Sequence, residues 1–565
     1  MVPRSMFFRF VINCIPFLAA SGVAVSVHGQ STQSGILLTD VTEQTGIDFV
    51  HTTGSAGLGY IVEGMSTGIA TFDYDGDGDQ DLYFLNGAPL KGAPPDPSAT
   101  NRLYRNDGNW KFTDVTESSG LGDPGYALGV ATADYDGDGD VDVYINNFGP
   151  NRLYQNQGNG TFRDVTEQAG VANGDKVGAG VGFFDMDGDG DLDLYVANYV
   201  DFNYDNHVPI IIGGKYYQAG PQYYRPVTDT LYRNEGNGRF TDVSRESGIS
   251  QVSGPGMGLV CFDFDNDGDL DIYVCNDGEP NFLFENDGHG HFTEIGMLAS
   301  VAYDFDGRAN SSMGVDIGDY DRDGWFDIIV TNYQGEMPVL YHNLGGGLFE
   351  DATSSTRITR ELFPHVNWGT SFFDVDNDAD LDLYIACGHF DRIEQIDDRT
   401  QQKVRNYLLL QHEGQFVDLS AGAGSALAVV ESSRGVAFDD LDNDGDIDLV
   451  VVNSNAPPTL IRNDSPGGDW LQIELRDPRQ PLNQHAIGAR VRLPQSRQMQ
   501  EVLSGRGYQS DYGRVLHFGL GTAASLDVEV VVRWPDGETD TFTLAPNQRW
   551  RIVRGATAKP VSAAQ

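Results

Sequence analysis

Asp73-Tyr74-Asp75-Gly76-Asp77-Gly78-Asp79-Gln80-Asp81 runs without a break into Leu82-Tyr83-Phe84-Leu85. The same arrangement begins again at Asp134, Asp185, Asp263, Asp319, Asp374 and Asp440. Carboxylates at positions 1, 3, 5 and 9 of so short a loop converge on one point. An all-oxygen donor set of that kind suits a hard cation, and the reading is up to seven Ca2+ loops. The expected side-chain donors are Asp73, Asp75, Asp77 and Asp81, then Asp134, Asp136, Asp138 and Asp142, then Asp185, Asp187, Asp189 and Asp193. The later loops offer Asp263, Asp265, Asp267 and Asp271, then Asp319, Asp321, Asp323 and Asp327, then Asp374, Asp376, Asp378 and Asp382, and finally Asp440, Asp442, Asp444 and Asp448. Position 7 varies in type, which suits a backbone carbonyl ligand from Asp79, Asp140, Asp191, Asp269, Trp325, Asp380 and Asp446. Position 6 is Gly in every copy but the sixth, where Ala379 stands; a sharp turn needs that freedom.

An EF-hand would need a bidentate Glu at position 12 and flanking helices. Position 12 is instead Phe84, Ile145, Val196, Val274, Val330, Ile385 and Val451. The segments entering and leaving each loop, such as Gly180 to Phe184 and Asp81 to Leu85, are β-branched, aromatic or aliphatic, so each loop joins two strands. A second motif follows: Asn101-Arg102-Leu103-Tyr104-Arg105-Asn106, a glycine turn, then Phe112-Thr113-Asp114-Val115-Thr116. It returns at Asn151 to Thr166 and Leu231 to Ser244, and more weakly at Phe282 to Glu294, Val339 to Asp351 and Tyr407 to Leu419. A loop pair plus a hairpin is four strands, and units starting 51 to 78 residues apart predict propeller blades. The seventh unit ends at Thr459-Leu460-Ile461-Arg462-Asn463 without its last strand. Leu38-Thr39-Asp40-Val41-Thr42 near the other end of the chain carries the missing pattern. The expectation is an all-β fold: a seven-bladed propeller over residues 30–464, closed by its N-terminal strand so that no sheet edge stays free.

Residues 1–29 read as a signal peptide, with Arg4 and Arg9 before an apolar stretch and small residues near Gly29. The chain is therefore expected outside the cytoplasm, secreted or at the periplasm or cell surface, with no membrane span once mature. A formal net charge of −47 repels nucleic-acid phosphates and anionic membranes. Cys261 and Cys275 flank the fourth loop; they are either small buried residues or a bridge across one hairpin. The long insertion Tyr199 to Asp229 is rich in tyrosine. It either binds a sugar or protein or, the plainer reading, caps the third blade. His365 and Trp368 either line a channel mouth or fill between blades.

Gly64-Met65-Ser66-Thr67-Gly68 matches a nucleophile elbow, but that motif needs a strand before it and a helix after it. Ile69-Ala70-Thr71-Phe72 leads instead into the first loop as a strand, so the match reads as chance. No catalytic set is nominated, and the chain reads as a non-enzyme.

After Asp464 the acidic loops stop. Strands are expected at Trp470–Leu475, Ala489–Leu493, Val515–Phe518, Val528–Trp534 and Thr541–Leu544, making a small β domain over 465–555 with a disordered tail from 556 to 565. The acidic repeats resemble the VCBS/FG-GAP family of integrin-like propellers. Ala486-Ile487-Gly488-Ala489-Arg490-Val491, Gly505-Arg506-Gly507-Tyr508-Gln509-Ser510 and Val532-Arg533-Trp534-Pro535-Asp536-Gly537 resemble the ASPIC/UnbV domain. Together they resemble the cartilage acidic protein family. The resemblance implies an extracellular calcium-binding protein, adhesive or ligand-binding, whose partner is an extracellular protein or glycan.

Two functions follow: a scaffold in which Ca2+ is structural, or an enzyme working at the channel mouth or domain interface. A cluster of His, Arg and carboxylate at the mouth would favour the second. Ala379, and Arg322 inside the fifth loop, are expected to make the fifth and sixth sites the weakest, with the second and third among the tightest.

Overall fold

The computed structural model describes residues 35–522 and 527–561. The expected signal peptide lies outside them. The described chain is all-β in its regular architecture, with helices of only three or four residues. None is long and apolar enough to cross a membrane.

Seven four-stranded antiparallel sheets follow one another. Their first strands are Ile69–Phe72, Tyr126–Ala133, Gly178–Phe184, Gly256–Phe262, Ser312–Gly318, Asn367–Phe373 and Ser433–Asp439. All seven are buried along their whole length, and each packs beside the next. Ile69–Phe72 also packs beside Ser433–Asp439, so the succession returns on itself. In the last sheet Leu38–Asp40 pairs with the final strand, Leu38 opposite Asn463 and Asp40 opposite Ile461. Thr42 Oγ1 there accepts the Leu460 N–H at 2.9 Å, as Thr116 Oγ1 accepts that of Leu103 at 2.9 Å in the first sheet. The N-terminal segment thus supplies the fourth strand, with the hydrogen bonds the other fourth strands make.

The C-terminal region adds two further four-stranded sheets. One centres on Asp469–Arg476 and Gln548–Val553, which run parallel; the other centres on Arg490–Leu493 and Val528–Arg533. All five expected strands are present. Gln498–Glu501 and Gln548–Val553 were not expected, because their polar composition hides the alternation. Lys559–Pro560 pairs with Trp550 and Arg551, so the segment expected as a disordered tail is paired at least that far. The C-terminal strands bury Leu471, Val491, Val532 and Trp534 in one cluster with Ala131, Phe183 and Leu194 of the second and third sheets.

Between the two sets of strands lies the stretch 503–514, which enters the centre of the ring. Asp511 N–H donates to Ile69 O at 3.0 Å and Asp511 O accepts from Thr71 N at 2.9 Å. Gly507 and Val315 exchange both backbone bonds, at 2.8 and 3.1 Å. The Asp511 carboxylate accepts from Thr132 N and Oγ1, both at 2.6 Å, and Arg506 pairs with Asp316 at 2.6 Å. Tyr512 OH donates to Thr370 O. Glycines of the inner strands admit the plug: a Cβ at Gly68 would sit 2.0 Å from Gln509 O, and one at Gly258 would sit 2.9 Å from Gly507 O.

Cys261 and Cys275 are both free. Two strands of one hairpin carry them to different apolar clusters, on either side of the fourth sheet, so no bridge forms.

Removing residues 35–45 should leave Thr459–Asn463 as an exposed sheet edge and drive the chain into aggregates. Gel filtration of the shortened protein in calcium is the check; a monodisperse monomer with the full-length melting temperature would contradict the role given to that strand.

Candidate metal centres

Each acidic loop is shaped by its own carboxylates before any ion is considered. Asp73 accepts from Gly76 N, Asp77 N and Gly78 N at 2.8, 3.1 and 3.0 Å, curling the loop round its first residue. Asp134, Asp185, Asp319, Asp374 and Asp440 make the corresponding bonds to their sixth residues, at 2.8 to 3.1 Å. The turn demands a left-handed backbone twice. Position 6 has φ from 88° to 112° in the six glycines, and Ala379 adopts 81°. Position 4 is left-handed as well, with Gly76, Gly137 and Gly188 followed by Asn266, Arg322, Asn377 and Asn443.

Position 9 does a different job. Asp81 accepts from Tyr74 N at 3.0 Å with one oxygen and from Asn106 N at 2.8 Å with the other. Asp142, Asp193, Asp271, Asp327, Asp382 and Asp448 repeat this, each tying its loop to the third strand of its sheet. The Asn106 amide then donates to Leu441 O of the preceding sheet's loop at 2.8 Å. Asn156, Asn234, Asn286, Asn343, Gln411 and Asn463 do the same to Tyr74, Tyr135, Met186, Phe264, Tyr320 and Val375. Seven such bonds close a circle around the loop face.

Positions 1, 3 and 9 come together in the first four loops: Asp73, Asp75 and Asp81; Asp134, Asp136 and Asp142; Asp185, Asp187 and Asp193; Asp263, Asp265 and Asp271. In the fifth, Asp321 and Asp327 are joined by His342. Position 5 lies at the turn, where Asp77, Asp138, Asp189, Asp267, Asp323, Asp378 and Asp444 cap the amide two residues on. The position 7 side chains of Asp79, Asp380 and Asp446 turn away to the neighbouring loop, pairing with Asn443, Arg322 and Asn377. Asp140, Asp191, Asp269 and Trp325 overlie Gly158, Gly236, Gly288 and Gly345 of the hairpin turns.

Electrostatically these loops are strained without a cation. Burial, reinforced by the adjacent carboxylates, pushes Asp73 and Asp185 up to about 6, Asp134 to about 7 and Asp319 to about 8. Asp81, Asp142, Asp193, Asp271, Asp382 and Asp448 are raised well above the usual carboxylate range by the same desolvation. Asp187 Oδ1, Asp376 Oδ1 and Asp442 Oδ1 at position 3, and Asp263 Oδ1 at position 1, are buried with no hydrogen-bond partner. Aligned, unpartnered carboxylate oxygens are what an oxygen-liganded divalent ion requires, so the residues present fit one.

The loops differ in ways the repeat conceals. Arg322 does not sit over the fifth loop; its guanidinium reaches Asp380 of the sixth. His342 Nδ1 lies 3.0 Å from Asp327, a hydrogen bond that lifts the imidazole to about 9, so this loop carries an internal cation. The fourth loop is unlike the rest: Asp263 meets Arg533 at 2.9 Å and Arg490 at 3.4 Å, both from the C-terminal strands. Those strands cover the loop face elsewhere too. Arg549 donates to Gly78 O, Gln484 to Gly137 O, Gln472 to Asp440 and His517 Nε2 lies 2.6 Å from Asn377 Oδ1. Nothing in the loop sequences signals these partners, since they come from over two hundred residues away in the fourth loop.

Ser66, at the centre of the elbow-like motif, does meet a histidine: Oγ lies 2.8 Å from His51 Nε2. His51 Nδ1 accepts the Asn455 N–H, so Nε2 carries the proton and donates to Ser66. Both residues are buried, and the strand Ile69–Phe72 follows where an elbow has a helix. The pair is a core hydrogen bond.

The FG-GAP-like repeat model matches residues 73–145, 134–196, 201–274, 263–330 and 319–385; every span but the third, which starts in the insertion, begins at an acidic loop, and each ends in the strand that leaves the next loop. The chain belongs to the FG-GAP-like repeat family. Its C-terminal residues 479–559 match the ASPIC and UnbV family. This FG-GAP-like chain is 28% identical over 511 residues to cartilage acidic protein 1 of Xenopus tropicalis, covering 86% of this chain and 72% of that one. It is 27% identical over 449 residues to the Homo sapiens protein of that name, covering 75% of this chain but 62% of that one. Among solved structures, a lectin from Agrocybe aegerita that recognises non-reducing terminal N-acetylglucosamine is similar at a TM-score of 0.35 and 16% identity, over 62% of this chain and 79% of that one. A likeness of that size carries no argument.

Two outcomes follow from the loop geometry. Ala379→Gly should stabilise the calcium-loaded protein by about 1 kcal/mol, read from thermal melts, because it relieves a left-handed alanine. Asp187→Ala should cost more thermal stability in calcium than Asp321→Ala, whose loop already holds His342. Equal losses would show that this cation does not weaken its site.

Proposed function

We propose that this chain is an extracellular scaffold in which Ca2+ ions, up to seven of them, are structural. The observation that carries the reading is the set of buried, unpartnered carboxylate oxygens in loops that the C-terminal strands cover. An ion at such a loop would neutralise the position 1, 3 and 9 carboxylates at about 2.3–2.6 Å, with positions 5 and 7 completing the shell through a side chain and a carbonyl. It would thereby hold the loop in the shape that receives the C-terminal strands. Residues 1–29 serve as the export signal in this reading, 30–464 as the propeller and 465–555 as the covering domain. The partner is an extracellular protein or glycan, as the likeness to cartilage acidic proteins suggests.

One observation favours the second reading, an enzyme at the channel mouth. His389, Arg434 and Asp277 line a cavity there. His389 Nδ1, however, accepts the Phe390 N–H, which leaves the proton on Nε2 toward Gln334 Oε1 at 3.0 Å. Burial and Arg434 also hold its basicity down to about 3. A neutral imidazole with both nitrogens engaged is a poor proton acceptor, so the scaffold reading is preferred.

Metal analysis after dialysis and recalcification should find several Ca2+ per chain, and chelation should lower the melting temperature by many degrees. Zero or one ion, or a melt indifferent to chelator, would refute the structural role. Capture of extracellular partners should fall when calcium is removed.

A further inference from the structure

The face opposite the metal loops carries a cavity of about 420 Å³, within the usual range for small-ligand sites. It is a blind cup. The plug fills the ring below it, and Tyr508 at the plug's tip donates to Met65 O at 3.0 Å and packs on Trp368 at 5.0 Å between centroids. One wall is the Tyr199 to Asp229 insertion. Instead of capping only the third sheet, it sends a hairpin, Ile210–Ile212 with Lys215–Tyr217, across the mouth to Gly59 and Gln395. Tyr216 to Gln222 face the cavity, and Trp368 lines it while His365 packs on Tyr407 outside it.

At the inner end stands Arg434, one of the largest fully buried side chains described. Its guanidinium lies 4.1 Å from the Trp368 ring centroid. It donates to the carbonyls of Gly64, Ser433 and His389 and to the Ser432 hydroxyl, all of them neutral. Four of its five N–H groups are therefore used, and one on Nη2 remains. Burial draws its pKa down to about 10, which still leaves it charged at neutral pH. A buried cation with only neutral partners is costly, and an anion entering the cup would offset that cost. The remaining lining is mixed: Glu63, Asp277, Gln218, Gln222 and Asn455 offer hydrogen bonds between apolar side chains, and Arg392 also lines the space but is paired with Asp391 at 2.9 Å. Tyr199 already satisfies one oxygen of Asp277 at 2.6 Å, which fixes that carboxyl in place. Acidic and amide side chains around the one cation without a carboxylate partner, Arg434, match a ligand with several hydroxyls and one negative charge. A polyanion would meet the repulsion of a chain at −47, which favours a ligand carrying a single negative charge.

We propose that this cup binds a sugar ring bearing a carboxylate, a uronate, free or at the end of a glycan. The carboxylate accepts from Arg434, and the ring hydroxyls bond to the acidic and amide side chains. The site is independent of the metal loops, so it stands or falls separately from the calcium reading.

Isothermal titration of the calcium-loaded chain with D-glucuronate, D-glucose and acetate tests it, with metal content measured on the same sample. Glucuronate should bind saturably and at least about tenfold more tightly than glucose, the worth of one charge-assisted hydrogen bond, and more tightly than acetate. Arg434→Gln should bring glucuronate down to the glucose level. Because Arg434 is buried, the double variant Gln218→Ala with Gln222→Ala provides a second measure. It should weaken glucuronate several-fold with an unchanged melting temperature. An oligosaccharide ending in glucuronate that binds more tightly than the free acid assigns the glycan form; equal binding assigns the free acid. No saturable heat with glucuronate, equal affinity for glucose or acetate, or a double variant that binds like the parent would overturn the proposal.

Discussion

The position 9 aspartate and the amide side chain it meets are the interaction on which the remaining structure depends. A carboxylate buried at the foot of each loop accepts one N–H from the loop and one from the third strand, so the loop cannot move independently of its sheet. The third-strand amide, asparagine in six sheets and Gln411 in the other, then carries the constraint to the preceding loop. Every sheet is thereby fastened to its neighbour at one end by a short, directional bond, in addition to the apolar packing between faces. The bonds are buried, and losing a partner would leave a polar group unsatisfied at a cost of roughly 1–3 kcal/mol each.

This ring sets the conditions for the acidic loops above it. Holding position 9 in place brings positions 1 and 3 to the same point, and their mutual repulsion is the price of that geometry. The fifth and sixth loops have positive charge nearby, from His342 and Arg322. The fourth is the exception in kind, because Arg490 and Arg533 place guanidinium groups on Asp263 itself, and Arg490 also pairs with the buried Glu501 at 2.8 Å. One loop face therefore combines candidate cation sites with a permanent ionic dock for the C-terminal strands.

The plug makes the two halves one body. Asp511 bridges the first and second sheets, Gly507 and Arg506 hold the fifth, and Tyr512 reaches the sixth. A channel that would run through the ring becomes a dock on one side and a cup on the other. The same segment thus fixes the C-terminal domain and supplies the floor beneath Arg434 and Trp368.

The repeat, the strand pairs around each loop, the acidic clusters and the return of the N-terminal strand were all legible in the sequence alone. Those are local or periodic features: a loop needs carboxylates at fixed spacing, a strand needs alternation, and Leu38 to Thr42 matches Phe112 to Thr116 at every position but the first. The sequence misplaced the charges around the loops: Arg322 serves the sixth loop and not its own, and the fourth loop meets arginines from the far end of the chain. The motif Gly505 to Ser510 was legible as a family resemblance, but nothing in it announces a plug; only the ring's inner glycines give it room. The insertion's reach across the mouth, the tautomers of His51 and His389, and the neutral partners of Arg434 were likewise decided by tertiary structure. Each depends on which distant backbone groups come within hydrogen-bonding distance, and spacing along the chain carries no information about that.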